Sequence, residues 1–287
     1  MKKILYRILA YILDLAFVSV ILLGISYIDF INPENKQINY TYQEYYNVND
    51  SFNNLMKNID GYFKDGKITK EEYEEIVTTY PSFFDVFNDI TLNEDIKMKK
   101  IDEVKSNLNE RLIELNNDYG YKIEKLNIRS AIISIVVYIL YFGVLQYFLK
   151  GQTIFKKLFK LRVVDNKYPK KKVPLWKYIV RSILVCELII SAADLILLVT
   201  LNKPSYIISN GWLSNIKYIY EMAFLVTMII RDDARSIHDL LLKTEVVRFN
   251  KAGNIIEEKL FNDDIGGYEE VINKNHKNVS KNTNRDA

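Results

Sequence analysis

Arg7 and Asp14 stand seven positions apart, and so do Glu187 and Asp194, all in stretches otherwise rich in Ile, Leu, Val and Phe. A charge in such surroundings is costly and normally has a partner or a task. A spacing of seven puts both members of a pair on one helix face, about 10 Å apart along the axis, which is too far for a direct bond. Arg7 lies near one end of its stretch and can snorkel to phosphates, whereas Asp14 is deeper and cannot. Arg181 opens the stretch that carries Glu187 and Asp194. The residues therefore allow a buried network of Asp14, Glu187 and Asp194, with Arg7 and Arg181 as charge partners. Carboxylates in such a place bind protons or cations and can change protonation as they do. A path for protons or cations is thus one reading. The other is that the charges pair to fix helix packing, a role that adds arrangement rather than stability.

Other chemistry finds little footing. Gly151-Gln152-Thr153 does not open a phosphate loop, because the Gly-Lys-Ser/Thr ending is absent. His238-Asp239 has no Ser or Cys nucleophile signal beside it and reads as a local contact. No zinc, haem or nucleotide signature is present, so neither an enzyme nor a cofactor, metal or nucleic acid partner is expected. The single cysteine, Cys186, cannot form an intrachain disulfide.

The elements that must position these charges are membrane helices. The mean hydropathy of −0.07 would suit a soluble protein, but it averages long apolar runs with long charged ones. Residues 4–28, 128–149, 176–201 and 206–230 are each long enough to cross a hydrocarbon core of about 30 Å. For the first, a cleaved signal is the alternative, but no small-x-small site follows it. The fourth carries Lys217 and Glu221, and a re-entrant segment is its alternative. The short loop 151–175 is dense in Lys and Arg, which places it in the cytoplasm, and both termini with it. Within it, residues 154–162 mix apolar and basic positions at nearly helical spacing. A helix there would lie in the membrane surface with Lys156, Lys157 and Lys160 near anionic lipid headgroups.

The segment 29–127 carries more acid than base and should lie outside as a helical insert. Thr69 to Glu72 forms a capping box. Ile101, Val104, Leu108, Leu112 and Leu115 recur at helical spacing, and Pro81 separates two helical regions. Residues 60–72 resemble a calcium loop. Aligned on Gly66, however, its first and third positions are Gly61 and Phe63, without side-chain oxygens, so a capped turn is expected. After the last span come a segment over 231–261 and a polar tail over 262–287 expected to lack order. Residues 245–249 and 254–256, flanking Lys251-Ala252-Gly253, suggest a hairpin. The sequence thus predicts an all-α membrane protein of about four spans.

Arg7 to Asp14, Gly151 to Lys156, Leu161-Arg162-Val163-Val164-Asp165, Arg181, Arg231 or Arg235, His238-Asp239-Leu240 and Thr244 to Val247 together resemble the motifs of the RDD family of bacterial membrane proteins. In that resemblance Arg7, Asp14 and Asp239 are the family's arginine and two aspartates. Phe155 departs from the pattern, standing where the family has glycine, and the insert is long. The resemblance implies residence in the bacterial cytoplasmic membrane and cation or proton transport. The alternative is a scaffold or accessory subunit that shows its outer domain to a protein partner. Four spans are few for a transporter, so a homo-oligomer is expected in either case.

Overall fold

The computed structural model describes residues 2–64, 68–88, 99–169, 171–231, 235–249, 259–262 and 267–270. The chain divides into two compact units, one of Met1–Ile25, Ala131–Val199 and Ile208–Ala287, the other of Ser26–Ser130 and Thr200–Ile207.

The first unit is the membrane unit. Helix α1 spans Lys2–Ser26. Helix α5, Lys99–Tyr138, runs on into a π-helical stretch, Ile139–Leu145, and a closing turn, Gln146–Phe148. A short helix α6, Ile154–Leu158, leads into strand β1, Leu161–Asp165. Helices α7, Leu175–Val185, and α8, Leu188–Thr200, are bent by 64° at the break between them. Helix α9 covers Lys203–Ile230, and a short helix α10, Ile237–Leu241, precedes strand β2, Thr244–Arg248. Among the described residues three helices are long and apolar enough to cross a membrane, with Ile4–Ser26 and Lys203–Ile230 among them, and four spans result if the bent pair counts as one. Large apolar side chains stand exposed along them, among them Leu5, Val20, Leu23, Ile196, Ile219 and Ile229. In lipid that exposure carries no hydrophobic penalty.

Two expectations about the spans change. The third is two helices, because Glu187 takes a left-handed φ of 54° and ends the α-helical ladder there. The fourth, for which a re-entrant segment is the alternative, is a continuous helix of 28 residues.

The π stretch explains a burial pattern that a plain α-helix would not give. Tyr141, Phe142 and Gly143 are buried in succession. An added Cβ on Gly143 would lie 3.4 Å from the Ile179 backbone and the Ser182 hydroxyl. Small residues therefore bring α5 and α7 close, as helices in lipid commonly do.

The loop between α5 and α7 is not a surface helix along its length. Thr153 caps α6, which ends at Leu158, and the chain turns at Lys160, with φ 56°, into β1. Strand β1 pairs antiparallel with β2, Leu161 opposite Arg248 and Val163 opposite Val246. Strand β2 therefore exists as expected; its partner among the described residues is 161–165, and the expected partner, 254–256, lies outside them. Alternation in each sequence could not reveal a partner some eighty positions away. Gly151 sits under this pair with φ +89°, and a Cβ there would fall 2.5 Å from the Val163 carbonyl, so only glycine fits.

In the second unit α2 is Asn35–Tyr62, α3 is Lys70–Thr79 and α4 is Phe84–Asn88. The Thr69–Glu72 capping box is present in both directions. Pro81 opens a 3-10 turn, Pro81–Phe83, between α3 and α4. Ile101, Val104 and Leu108 enter an apolar core with Leu55, Ile59, Phe83 and Phe87, and Leu112 and Leu115 pack against it. Strands β3, Lys259–Asn262, and β4, Gly267–Glu270, which belong to the first unit, form a separate antiparallel pair. Order thus reaches into the segment expected to lack it, and residues 271–287 lie outside those described.

Candidate functional site

The buried charges of the membrane unit gather around two carboxylates, and each is filled differently. Asp14, on α1, is fully buried. Its Oδ1 accepts a 2.5 Å hydrogen bond from the Tyr141 hydroxyl, and its Oδ2 accepts one from Thr153. The Phe155 amide donates to Oδ1 at 3.4 Å. The π stretch of α5 aims Tyr141, while the cap of α6 aims Thr153, whose oxygen also accepts from the Lys156 amide at 3.3 Å. The donors come from hydroxyls and backbone, so Asp14 is held without a bonded cation. Phe155, in the position where the resemblance has glycine, packs edge-on to Phe17 with ring centres 6.2 Å apart.

Asp239, at the start of α10, is the second hub and is also fully buried. Arg7 Nη2 donates to its Oδ2 at 2.7 Å, and Arg181 Nη1 bonds its Oδ1. Ser236 donates at 3.1 Å and Thr244 at 3.2 Å. Burial alone would raise the carboxyl, but the Arg181 and Arg7 guanidinium groups against it hold it far below the usual carboxylate range. Arg7, α7, α10 and β2 thereby meet on one side chain. His238 is buried with its ring stacked on Phe224, centres 5.1 Å apart, and lies 2.9 Å from the Ser236 hydroxyl through Nε2. Burial, then the Arg181 charge, push it well below its ordinary value, so it stays neutral.

These contacts correct the expected pairing. Arg7 and Arg181 are charge partners, but of Asp239 rather than Asp14. The reason is axial position: Asp14 lies two turns beyond Arg7, at the level of Tyr141 and Thr153. Nor are the three carboxylates of the expected relay joined by hydrogen bonds, since none of the donors to Asp14 comes from α7 or α8. Glu187 instead faces Lys217 at 3.7 Å, and Lys217 also lies 3.9 Å from Glu221. Asp194 is half-buried on α8.

Lys156 is the second correction. It is not at the lipid surface but buried, 9 % exposed, while Lys157 and Lys160 are exposed. The cap at Thr153 begins α6 so that its third residue points inward. Burial, with Arg181 close by, pushes the ammonium down to about 8. Arg235 is fully buried, whereas Arg231 is partly exposed and Asp232-Asp233 lie outside the described residues.

A cavity of about 610 Å³ opens beside these groups. Arg7, Lys156, Arg181 and His238 line one part of it, and Glu187, Lys217 and Glu221 another. Arg181 and Glu187 are six positions apart, about 9 Å on the scale of helical rise. At the break between α7 and α8 two tyrosines bond backbone carbonyls: Tyr220 donates to Leu184 at 2.8 Å and Tyr11 to Val185 at 3.0 Å. Sequence reasoning missed Tyr141, Thr153, Ser236 and Thr244 as partners. The only signal for them was a hydroxyl in an apolar or motif-bearing stretch.

No curated protein and no solved structure matches the chain. The family model of the RDD family does match, over residues 113–243, a stretch that holds Tyr141, Thr153, Arg181 and Asp239 and leaves Arg7 and Asp14 outside it. Through that region the chain is similar to the RDD family, and its apolar spans are those of a membrane protein.

Proposed function

We propose that this protein moves protons or small cations across the membrane, with Glu187 as the carboxylate that exchanges them. The supporting observation is the placement of Glu187 at the break of a bent span, lining the cavity opposite Lys217. Asp239 is held charged by two arginines, and Asp14 is filled by three donors, so neither has a free coordination position. Both then act as fixed points that hold the bundle, while Glu187, beside Lys217 and Glu221, exchanges the ion. Asp194, half-buried on α8 beyond the break, is the next carboxylate along the route. The basic loop favours a cytoplasmic location for the Arg7 end and for both termini, in the cytoplasmic membrane of a bacterium. Lys157 and Lys160 then lie at the headgroups of anionic lipid.

The test is reconstitution in vesicles with an internal pH dye under sodium and potassium gradients. Flux in the wild type that disappears in Glu187→Gln and persists in Lys157→Gln supports the proposal. An intact protein without flux sinks it and favours a second reading, in which the protein is a scaffold. One observation supports that reading: residues 26–130 carry an apolar core of their own, which ion exchange does not require. The unit would then present its surface to a protein partner outside the cell.

A further inference from the structure

The cavity sets a cation without a bonded counter-ion against an apolar wall. Lys156 is more than nine-tenths buried and lines the cavity. Among the described residues its Nζ has no hydrogen-bond or ion-pair partner. The acids that could have served are already engaged. Asp239 takes Arg7 and Arg181, and Asp14 takes Tyr141, Thr153 and the Phe155 amide. A buried ammonium left unpaired is expensive, and proteins usually meet that cost with a bound or bonded anion.

The rest of the wall says what kind of anion. Ile8, Ile12 and Leu15 of α1 face Leu225 and Met228 of α9 across the same space. Ile12 and Leu225 also stand exposed on the outer surface of the unit, among the side chains that lipid would cover. The cavity is therefore reachable sideways from the bilayer. Its other charged part carries Glu187 and Glu221, which repel a second negative group. One acidic head and one apolar chain match this lining, whereas a free inorganic anion would leave the apolar wall empty.

We propose that the cavity binds an anionic amphiphile, with its acidic head on Lys156 and its chain between α1 and α9. Either an acidic phospholipid of the bilayer or a free fatty acid supplies that chemistry. The site does not depend on transport, since a bound amphiphile could as well hold the bundle together. The groups that face Lys156 are Arg7 and Asp14 from α1, Arg181 from α7, and His238 and Asp239 from α10. With its ammonium titrating near 8, Lys156 carries charge at neutral pH and loses it in mild alkali.

The full chain is placed in phosphatidylcholine bilayers containing phosphatidylglycerol, oleate, inorganic phosphate or no addition, and retained molecules are counted by native mass spectrometry. One phosphatidylglycerol or one oleate per chain is expected, and the arm that retains it names the source. Lys156→Gln should lower occupancy about ten-fold, the loss of one charge-assisted contact. Lys156→Arg should keep it, as should Lys157→Gln with Lys160→Gln on the outside. Two measurements stand if Lys156→Gln does not fold. Ile12→Trp should fill the cavity and displace the amphiphile, and wild-type occupancy should fall as pH rises through about 8. Retention in neither lipid arm, equal retention in Lys156→Gln, or retention of phosphate alone overturns the proposal. When Lys156→Gln is unfolded, occupancy unchanged by both Ile12→Trp and pH does so too.

Discussion

Arg7 and Asp239 are 232 positions apart in the chain, yet a guanidinium nitrogen of one lies 2.7 Å from a carboxylate oxygen of the other. Arg181 approaches the same carboxylate from α7, so one side chain fastens the first span, the bent span and the segment after the last span. Such a group is worth little as a net source of stability, because burying three charges costs about what their attraction returns. Its removal is another matter, since the partners stay buried.

Asp239→Asn should therefore destabilise the membrane unit by about 3–5 kcal/mol, because two arginines lose their charge partner at once. A thermal melt in detergent checks this. The double variant Asp239→Asn with Arg7→Met should recover part of the loss. A double variant as weak as the sum of the singles would show that the two residues do not interact.

The Asp14 cluster makes a smaller prediction. Tyr141→Phe and Thr153→Ala each remove one hydroxyl from a buried carboxylate and should cost about 1–3 kcal/mol. Thr153→Ala should cost more than Tyr141→Phe, since it also removes the cap of α6. Equal melting temperatures for wild type and both variants would show the bonds to be unimportant.

His238 should not take up a proton near neutrality. Its folded value is depressed, so its contribution to stability is fully present above about 6.5 and is lost as the pH falls below that, when the unfolded chain binds a proton that the native one refuses. Ring proton shifts followed by NMR between pH 8 and pH 6 should stay flat. A midpoint near 6.5 would contradict the burial against Phe224.

Lys156 has the same sign at higher pH. Its folded value is about 8 against 10.5 for the free side chain, so the native state is deprotonated over a window where the unfolded chain still holds its proton. Stability from this group rises with pH between about 8 and 10.5 and is lost as pH falls back through about 8. In Lys156→Met that rise should be absent from chemical denaturation curves taken across the window.

Gly151→Ala should be poorly tolerated. The new methyl would meet the Val163 carbonyl and the Tyr178 hydroxyl in a left-handed backbone, at a cost of about 1–3 kcal/mol. Gly211→Ala, where nothing lies within 4 Å, is the control and should melt like the wild type.

The spans, the Thr69 cap and the stripe from Ile101 to Leu115 were legible in the sequence because each is a local pattern, a run or a period that one stretch of chain displays by itself. Asp239 and Arg181 were legible only as motif residues, and what they bond was not, because long-range pairing leaves no trace in spacing. The inward turn of Lys156 escaped for a related reason. Its neighbours Lys157 and Lys160 look identical in sequence, and only the start of α6 at Thr153 decides which of the three faces in. The bend at Glu187 was hidden because nothing but a left-handed φ marks it, and no glycine stands there to announce it.

The clamp on Asp239 also sets an order of events during synthesis. Arg7 enters the bilayer with the first helix, but its carboxylate is made more than two hundred residues later, after about 10–50 s at ordinary ribosome speeds. Through that interval the nascent protein carries a basic side chain whose final counterpart does not yet exist. A ribosome that stops between residues 230 and 239 therefore releases a product that has every span and no lock.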